Sequence, residues 1–177
     1  MTMEMADSFF TCRSDQLFTV HICHDYLACQ ITAKQMQAVC AIQSRELLGG
    51  RWTVQDSTDA PNVAAMYQPT NGISSWVKES VVTEAEPKSR GYVIEKWILI
   101  AQHLFQLNNF DGLVAVISDL DDTSVFRLHQ SCDTVSIQAK ESIRSLRRIV
   151  DLSQNHKTLR PLISSSSASR LPSQVHI

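Results

Sequence analysis

An all-α fold, an irregular bundle of helices, is what the sequence predicts, on three observations. Apolar residues recur at spacings of three and four in separate stretches of the chain. No stretch reads as a run of alternating strands, and there is no internal repeat. Gly49-Gly50, Pro61 and Asn108-Asn109 stand where the periodic stretches begin or end, as helix punctuation should. The 177 residues suffice for one domain with a sizeable core and leave little room for a second.

The first two dozen residues show neither period, so 1–24 is expected to be a loosely attached segment and 25–163 the folded domain. A helix is expected from Tyr26 to Ile42, with Leu27, Ile31, Ala38 and Ile42 near one face and Gln35 interrupting the stripe. Gly49-Gly50 end that unit. A polar stretch then leads to Pro61, whose fixed φ and missing N–H suit the first turn of a short helix that stops or kinks near Pro69. A further helical segment passes through Trp76 and Val77 to about Val82.

The clearest helix spans Tyr92 to Leu107, where Ile94, Ile98, Ala101 and Phe105 recur at four, three and four. Val93, Trp97, Ile100 and Leu104 widen that apolar face, and Glu95, Gln102, His103 and Gln106 fall opposite. Asn108 and Asn109 make a tight corner, since Asn suits both left-handed helix ends and N-caps, and Asp111 opens an apolar run to Leu120. The last helix, Ser136 to Leu152, sets Ala139, Ile143, Leu146 and Val150 on one face, with Lys140, Arg144, Arg147 and Arg148 largely outside. Residues 164–177 open on a run of serines, which buries too little apolar area to offset its ordering entropy, and are expected to be a disordered tail.

A net charge of −2 gives no general attraction to nucleic acid or to anionic membrane, and the basic run Arg144, Arg147, Arg148 lacks interleaved aromatics. Partners must be recognised by a local surface. The apolar stretch around Trp97 to Leu107 is broken by Gln and His and is shorter than a membrane span, so no membrane insertion is expected. Five cysteines, Cys12, Cys23, Cys29, Cys40 and Cys132, have no paired spacing, and no signal-peptide pattern opens the chain, which points to the reducing cytoplasm.

Two local patterns suggest chemistry. His21, Cys23 and His24 carry zinc-type donors, but a closed site wants a second cluster and none stands nearby in sequence, so no metal and no cofactor is expected. Asp119-Leu120-Asp121-Asp122-Thr123 after an apolar run fits the Asp-x-Asp-x-Thr motif of haloacid-dehalogenase-like phosphotransferases. That reading makes Asp119 a nucleophile and Asp121 an acid/base, and it requires a strand before the motif and a long α/β domain after it.

A broader pattern runs through the chain in order. Arg45-Glu46-Leu47-Leu48-Gly49 is followed by Trp52-Thr53, then Ala60-Pro61-Asn62, then Asn71 with Ser75-Trp76-Val77. The stretch from Val93 to Leu128 adds Leu107, Asn109, Phe110, Arg127 and Leu128. These blocks resemble the catalytic domain of Ras-type guanine nucleotide exchange factors, truncated before its C-terminal helical hairpin. The resemblance implies a helical bowl that grips the switch II region of a Ras-superfamily GTPase of the Ras, Rap or Ral type and promotes GDP/GTP exchange without covalent chemistry.

By the same resemblance Glu46, Leu47, Pro61, Asn62, Trp76, Asn109, Phe110, Arg127 and Leu128 form the structural motif, and Met66, Tyr67, Gln68, Thr70, Asn71, Val114 and Asp121 meet the GTPase. Several positions depart from the pattern. The Leu-Thr-Leu-x-Glu block reads Ile31-Thr32-Ala33-Lys34-Gln35, Cys40 replaces a basic residue, and Asn155-His156-Lys157-Thr158-Leu159-Arg160 lacks the family's two aromatics. Loss of the hairpin is expected to bare apolar surface near Trp97 and Ile143. It also leaves an alternative, an interaction module that binds a GTPase or a scaffold without exchange.

Overall fold

A computed structural model describes residues 22–53, 60–151 and 157–165. Its helices are α1 His24–Cys40, α2 Pro61–Val82, α3 Pro87–Gln106, α4 Phe110–Leu120, α5 Thr123–Phe126, α6 His129–Thr134, α7 Ile137–Val150 and α8 Leu159–Ser165. A 3₁₀ segment, Ser44–Thr53, precedes α2 and is broken where Gly49 and Gly50 take positive φ of 71° and 66°. No strand occurs among the described residues, as the all-α expectation requires.

The helix that was clearest in sequence is the centre of the fold. α3 packs against α1, α2, α4, α6 and α7 and buries Val93, Ile94, Trp97, Ile98, Ile100, Ala101 and Leu104. Phe105 is only half-buried, and Lys96 is buried where the pattern gave no reason to expect a charge. Gly91 lets α6 come close, because a Cβ there would stand 2.0 Å from the Thr134 hydroxyl and 3.1 Å from the Ser131 carbonyl oxygen.

The corner after α3 is built as its asparagines suggest. Asn108 takes a φ of 57°. Its N–H donates to the Phe105 carbonyl and the Asn109 N–H to the Leu104 carbonyl at 2.8 Å, the paired bonds of a Schellman helix end. Asn109 then caps α4, its side-chain oxygen accepting from the Gly112 N–H at 2.9 Å.

Elsewhere the structure corrects the sequence reading. α2 does not stop at Pro69: it continues for 22 residues. Proline there costs one backbone hydrogen bond, and the burial of Val63, Ile73, Val77 and Val81 on both sides of it holds the helix together. α1 starts at His24, inside the segment expected to be loose; residues 1–21 lie outside the described residues. α7 ends at Val150, with Leu152 outside the described residues. α8 reaches two residues into the serine run, and residues 166–177 of the expected tail are again outside.

Trp97 and Ile143 themselves are 0% and 7% exposed, whereas Tyr92 and Leu99 on α3 and Ile137 on α7 stand exposed. Leu159, standing where the family has an aromatic, is fully buried, and Leu162 and Ile163 pack on the same core. The first turn of α8 therefore helps to close the bundle.

Glu46 links two of the sequence blocks. It lies before Gly49, is 1% exposed, and accepts from the backbone N–H of Asn62 at 2.9 Å and of Val63 at 3.2 Å, and from Asn62 Nδ2 at 2.6 Å. It thus caps the N-terminus of α2, where Ala60 has no side chain to do so. Burial alone would raise its carboxyl, but the bonds from the Asn62 side chain and the two N–H groups outweigh it and hold Glu46 below the usual glutamate range. A depressed folded pKa contributes stability above the unfolded value, near 4.5, that is lost as pH falls through the folded pKa. Glu46→Gln is therefore expected to lower Tm by about 5 °C at neutral pH. The gap should narrow as the solution is acidified below the ordinary glutamate range, and thermal melts from pH 7 to pH 3 check this; a gap that does not depend on pH would show that the charge is not what caps α2.

Candidate functional site

Two ties fix how α2 and α4 lie together. Thr70 Oγ1 donates to Asp111 Oδ2, and Lys78 Nζ pairs with Asp119 Oδ1 at 3.3 Å. Both pairs are eight residues apart on their own helix, so α2 and α4 run parallel and in register. Each buries its apolar stripe on the core side, leaving a common open side.

On α2 the strip beside the buried stripe carries Tyr67, Asn71, Ser74 and Lys78, at four, three and four. α4 is buried nearly all round, and its open strip is Val114, Ser118 and, at the C-cap, Asp121. At 1.5 Å per residue the surface from Met66 to Asp121 is about 20 Å long. The candidates Tyr67, Asn71, Val114 and Asp121 share this surface. Met66 is half-buried and falls by helical spacing in line with the buried Val63 and Ile73, and Gln68 is exposed outside the strip. Ser118 and Lys78 were missed, although the i+4 step from Val114 and the i+7 step from Asn71 would have found them.

Thr70 serves the interior. Beneath the open surface, Gln35 on α1 donates through Nε2 to Asp111 Oδ2 at 2.7 Å and to Thr70 Oγ1 at 3.0 Å. Its Oε1 accepts from Asn109 Nδ2 at 2.7 Å, and Asn109 also donates to Thr32 Oγ1 at 3.0 Å. Gln35 and Asn109 are 2% and 0% exposed, and their polar atoms all have partners. Gly112 leaves the room, since a Cβ there would stand 3.0 Å from Asn109 Nδ2 and 3.1 Å from Gln35 Oε1.

The interruption that Gln35 makes in the α1 stripe is thus a network hub. An ionised glutamate in its place would bring a second carboxylate against Asp111, which neither could satisfy. The amide accepts from Asn109 and donates to Asp111 at once, so losing the acid at this position fits its neighbour.

Of the motif residues, Glu46, Asn109 and Phe110 are buried, Asn62 is half-buried on Glu46, and Trp76 stacks edge-on against Trp97 with centroids 5.1 Å apart. Leu128 is half-buried, whereas Pro61, Arg127 and Leu47 are exposed, Leu47 by 55%. These last three do not form part of the core.

The phosphotransferase reading fails on secondary structure. Leu113 to Leu120 is helix, not strand, so Asp119 and Asp121 stand at a helix C-terminus, where the dipole opposes added negative charge. Each is instead met by a cation from a neighbouring helix: Lys78 for Asp119, and Arg147 for Asp121 through Nε at 2.9 Å and through Nη2. Asp122 caps α5, and the Ser124 hydroxyl and N–H hold its carboxyl below the usual range. Among the described residues no group of three or more His, Cys, Asp or Glu donors gathers on the α2–α4 surface, and no helix is long and apolar enough to cross a membrane.

Comparison with known proteins agrees with the blocks read in the sequence. The RasGEF domain family matches residues 26–175. The chain is similar to Ras guanine nucleotide exchange factor M of Dictyostelium discoideum, 29% identical over 148 residues that make up 82% of this chain and 16% of that protein. It is 32% identical to the Ras-specific guanine nucleotide-releasing factor RalGPS1 of Gallus gallus over 137 residues, 77% of this chain and 24% of that one. Cell division control protein 25 of Saccharomyces cerevisiae is 26% identical over 140 residues, 78% of this chain and 9% of the yeast protein. The chain spans at most 24% of the length of these three relatives.

Proposed function

Because the chain belongs to the RasGEF domain family, we propose that it binds a small GTPase of the Ras, Rap or Ral type in the cytoplasm and promotes exchange of GDP for GTP. The observation that carries this reading is the open side of the α2–α4 pair, where Tyr67 and Asn71 stand beside Val114 and Asp121. Exchange makes and breaks no bond on the exchange factor. It needs only that the nucleotide-free GTPase be held more tightly than the loaded one. A rigid backing serves that end, because an interface already ordered loses less entropy on binding. The buried network from Thr32 to Thr70 supplies such a backing.

Release of a fluorescent GDP analogue from purified Ras, Rap and Ral proteins is expected to speed up when the chain is added. Val114→Arg should weaken GTPase binding about tenfold or more, since it sets a charge on an apolar contact near the centre of the surface. Val114 is half-buried, so the arginine can reach solvent along the open strip and leave the fold intact, which a thermal melt checks. Unchanged binding with a normal melt would remove this strip from the interface.

A second reading, binding without exchange, is favoured by two polar candidates that are already engaged: Thr70 by Asp111, and Asp121 by Arg147. It predicts a GTPase complex with unaltered nucleotide release, and the same assay separates the two.

A further inference from the structure

Away from the α2–α4 surface, the first turn of α1 meets the end of α3. Asp25 Oδ1 lies 2.9 Å from His24 Nε2 and 2.8 Å from His103 Nε2, and the two imidazole rings stand 4.9 Å apart, tilted by 46°. Cys23 precedes α1 as its N-cap, caps nothing with its side chain, and has its sulfur within 4.8 Å of the donor atoms of His24 and Asp25. Three groups of zinc-type chemistry, an imidazole, a carboxylate and a thiol, thus gather at the start of α1, and His103, 78 residues beyond Asp25, brings a second imidazole to the same carboxylate from α3.

We propose that Cys23, His24, Asp25 and His103 form a binding site for a zinc-class divalent cation. Two nitrogens aimed at a single carboxylate oxygen already have nearly the needed geometry. Bonds of about 2.0–2.1 Å in a tetrahedron set nitrogen and oxygen donors roughly 3.3 Å apart, about half an ångström more than the two Asp25–imidazole separations here. Asp25 is 58% exposed on its side chain and can swing outward by that amount, while the histidines, at 35% and 29%, are held by their helices. The thiol completes the set as thiolate on losing its proton to solvent when the metal binds. Two charged residues line the cleft beside Cys23: Lys96, whose burial pulls its ammonium below the ordinary lysine range, and Glu95, which accepts from the Ser136 N–H.

The site would clamp α1 to α3. Since α1 also carries Thr32 and Gln35, the clamp acts on the frame behind the α2–α4 surface without touching that surface.

Cobalt(II) titrated into the tag-free 177-residue chain tests the site by absorption, with zinc followed by thermal melting. Tetrahedral d–d bands, a thiolate-to-cobalt band lost in Cys23→Ser, and a zinc-dependent Tm rise of about 5 °C are expected. His103→Ala should weaken cobalt binding tenfold or more, and His24→Ala should do the same should the first variant fold poorly. No spectral change at millimolar cobalt overturns the proposal, as does binding that a folded His103→Ala leaves unaltered. None of these readouts depends on GTPase binding.

Discussion

Asn109→Ala is expected to destabilise the chain by about 3–4 kcal/mol, which for a domain of this size lowers Tm by roughly 10 °C. Three losses fall together. The Gly112 N–H loses its cap, worth about 1 kcal/mol. Gln35 Oε1, inside a residue 2% exposed, keeps no donor, and an unsatisfied buried acceptor costs about 1–3 kcal/mol. Thr32 Oγ1 loses its donor from Asn109 but still donates to the Ala28 carbonyl at 2.8 Å, so its share is smallest. Asn109→Ser restores the cap but not the reach to Gln35, and should recover only the first part. In a double-mutant cycle, Asn109→Ala and Gln35→Ala should cost about 1 kcal/mol or more less together than their separate effects predict. Strict additivity, or a single-mutant loss below about 1 kcal/mol, would mean that the network does not hold the corner.

The network also marks the limit of what the sequence discloses. Helical period is carried by residues three and four apart, so α3 and the apolar run of α4 were legible, and so was the Asn108-Asn109 corner, whose two asparagines have local backbone reasons. The burial of Gln35, Glu46 and Lys96 was not, although the family blocks included Glu46. Each is a polar residue whose burial is justified only by a partner or a packing surface far along the chain: Asn109 for Gln35, the start of α2 for Glu46. Pro69 misled in the opposite way, because a local rule ended a helix that tertiary burial on both sides of the proline carries through.

The candidate surface divides on the same principle. The family blocks named Tyr67, Asn71, Val114 and Asp121, and the parallel register of α2 and α4 brings their strips to one side. They also named Met66, in line with the buried stripe, and Thr70, held by Gln35 and Asp111, and they omitted Ser118, which continues the α4 strip. A motif records which residue types occur; which side of a helix they share follows from the buried stripe. His103 is the extreme case, an outward position on α3 that gains meaning only where His24 and Asp25 come to meet it.

Trp97→Ala is expected to have the largest effect of all, about 4–5 kcal/mol. The side chain is fully buried on the central helix and joins α3 to α2 in two ways. Its ring meets Trp76 edge-on at 5.1 Å, an arrangement worth about 1 kcal/mol beyond area, and its Nε1–H donates to Ser80 Oγ at 2.8 Å. Truncation leaves a cavity of indole size between helices too well packed to close it. Trp97→Phe keeps most of the ring, surrenders the Ser80 bond, and should cost about half as much. Because Trp76, Ser80 and the strip from Tyr67 to Lys78 all belong to α2, the melt of Trp97→Ala should be accompanied by loss of the proposed GTPase binding at temperatures where the remaining helix signal persists. If binding and helicity instead fall together in one transition, α2 has no separate freedom and the surface is as stable as the core beneath it.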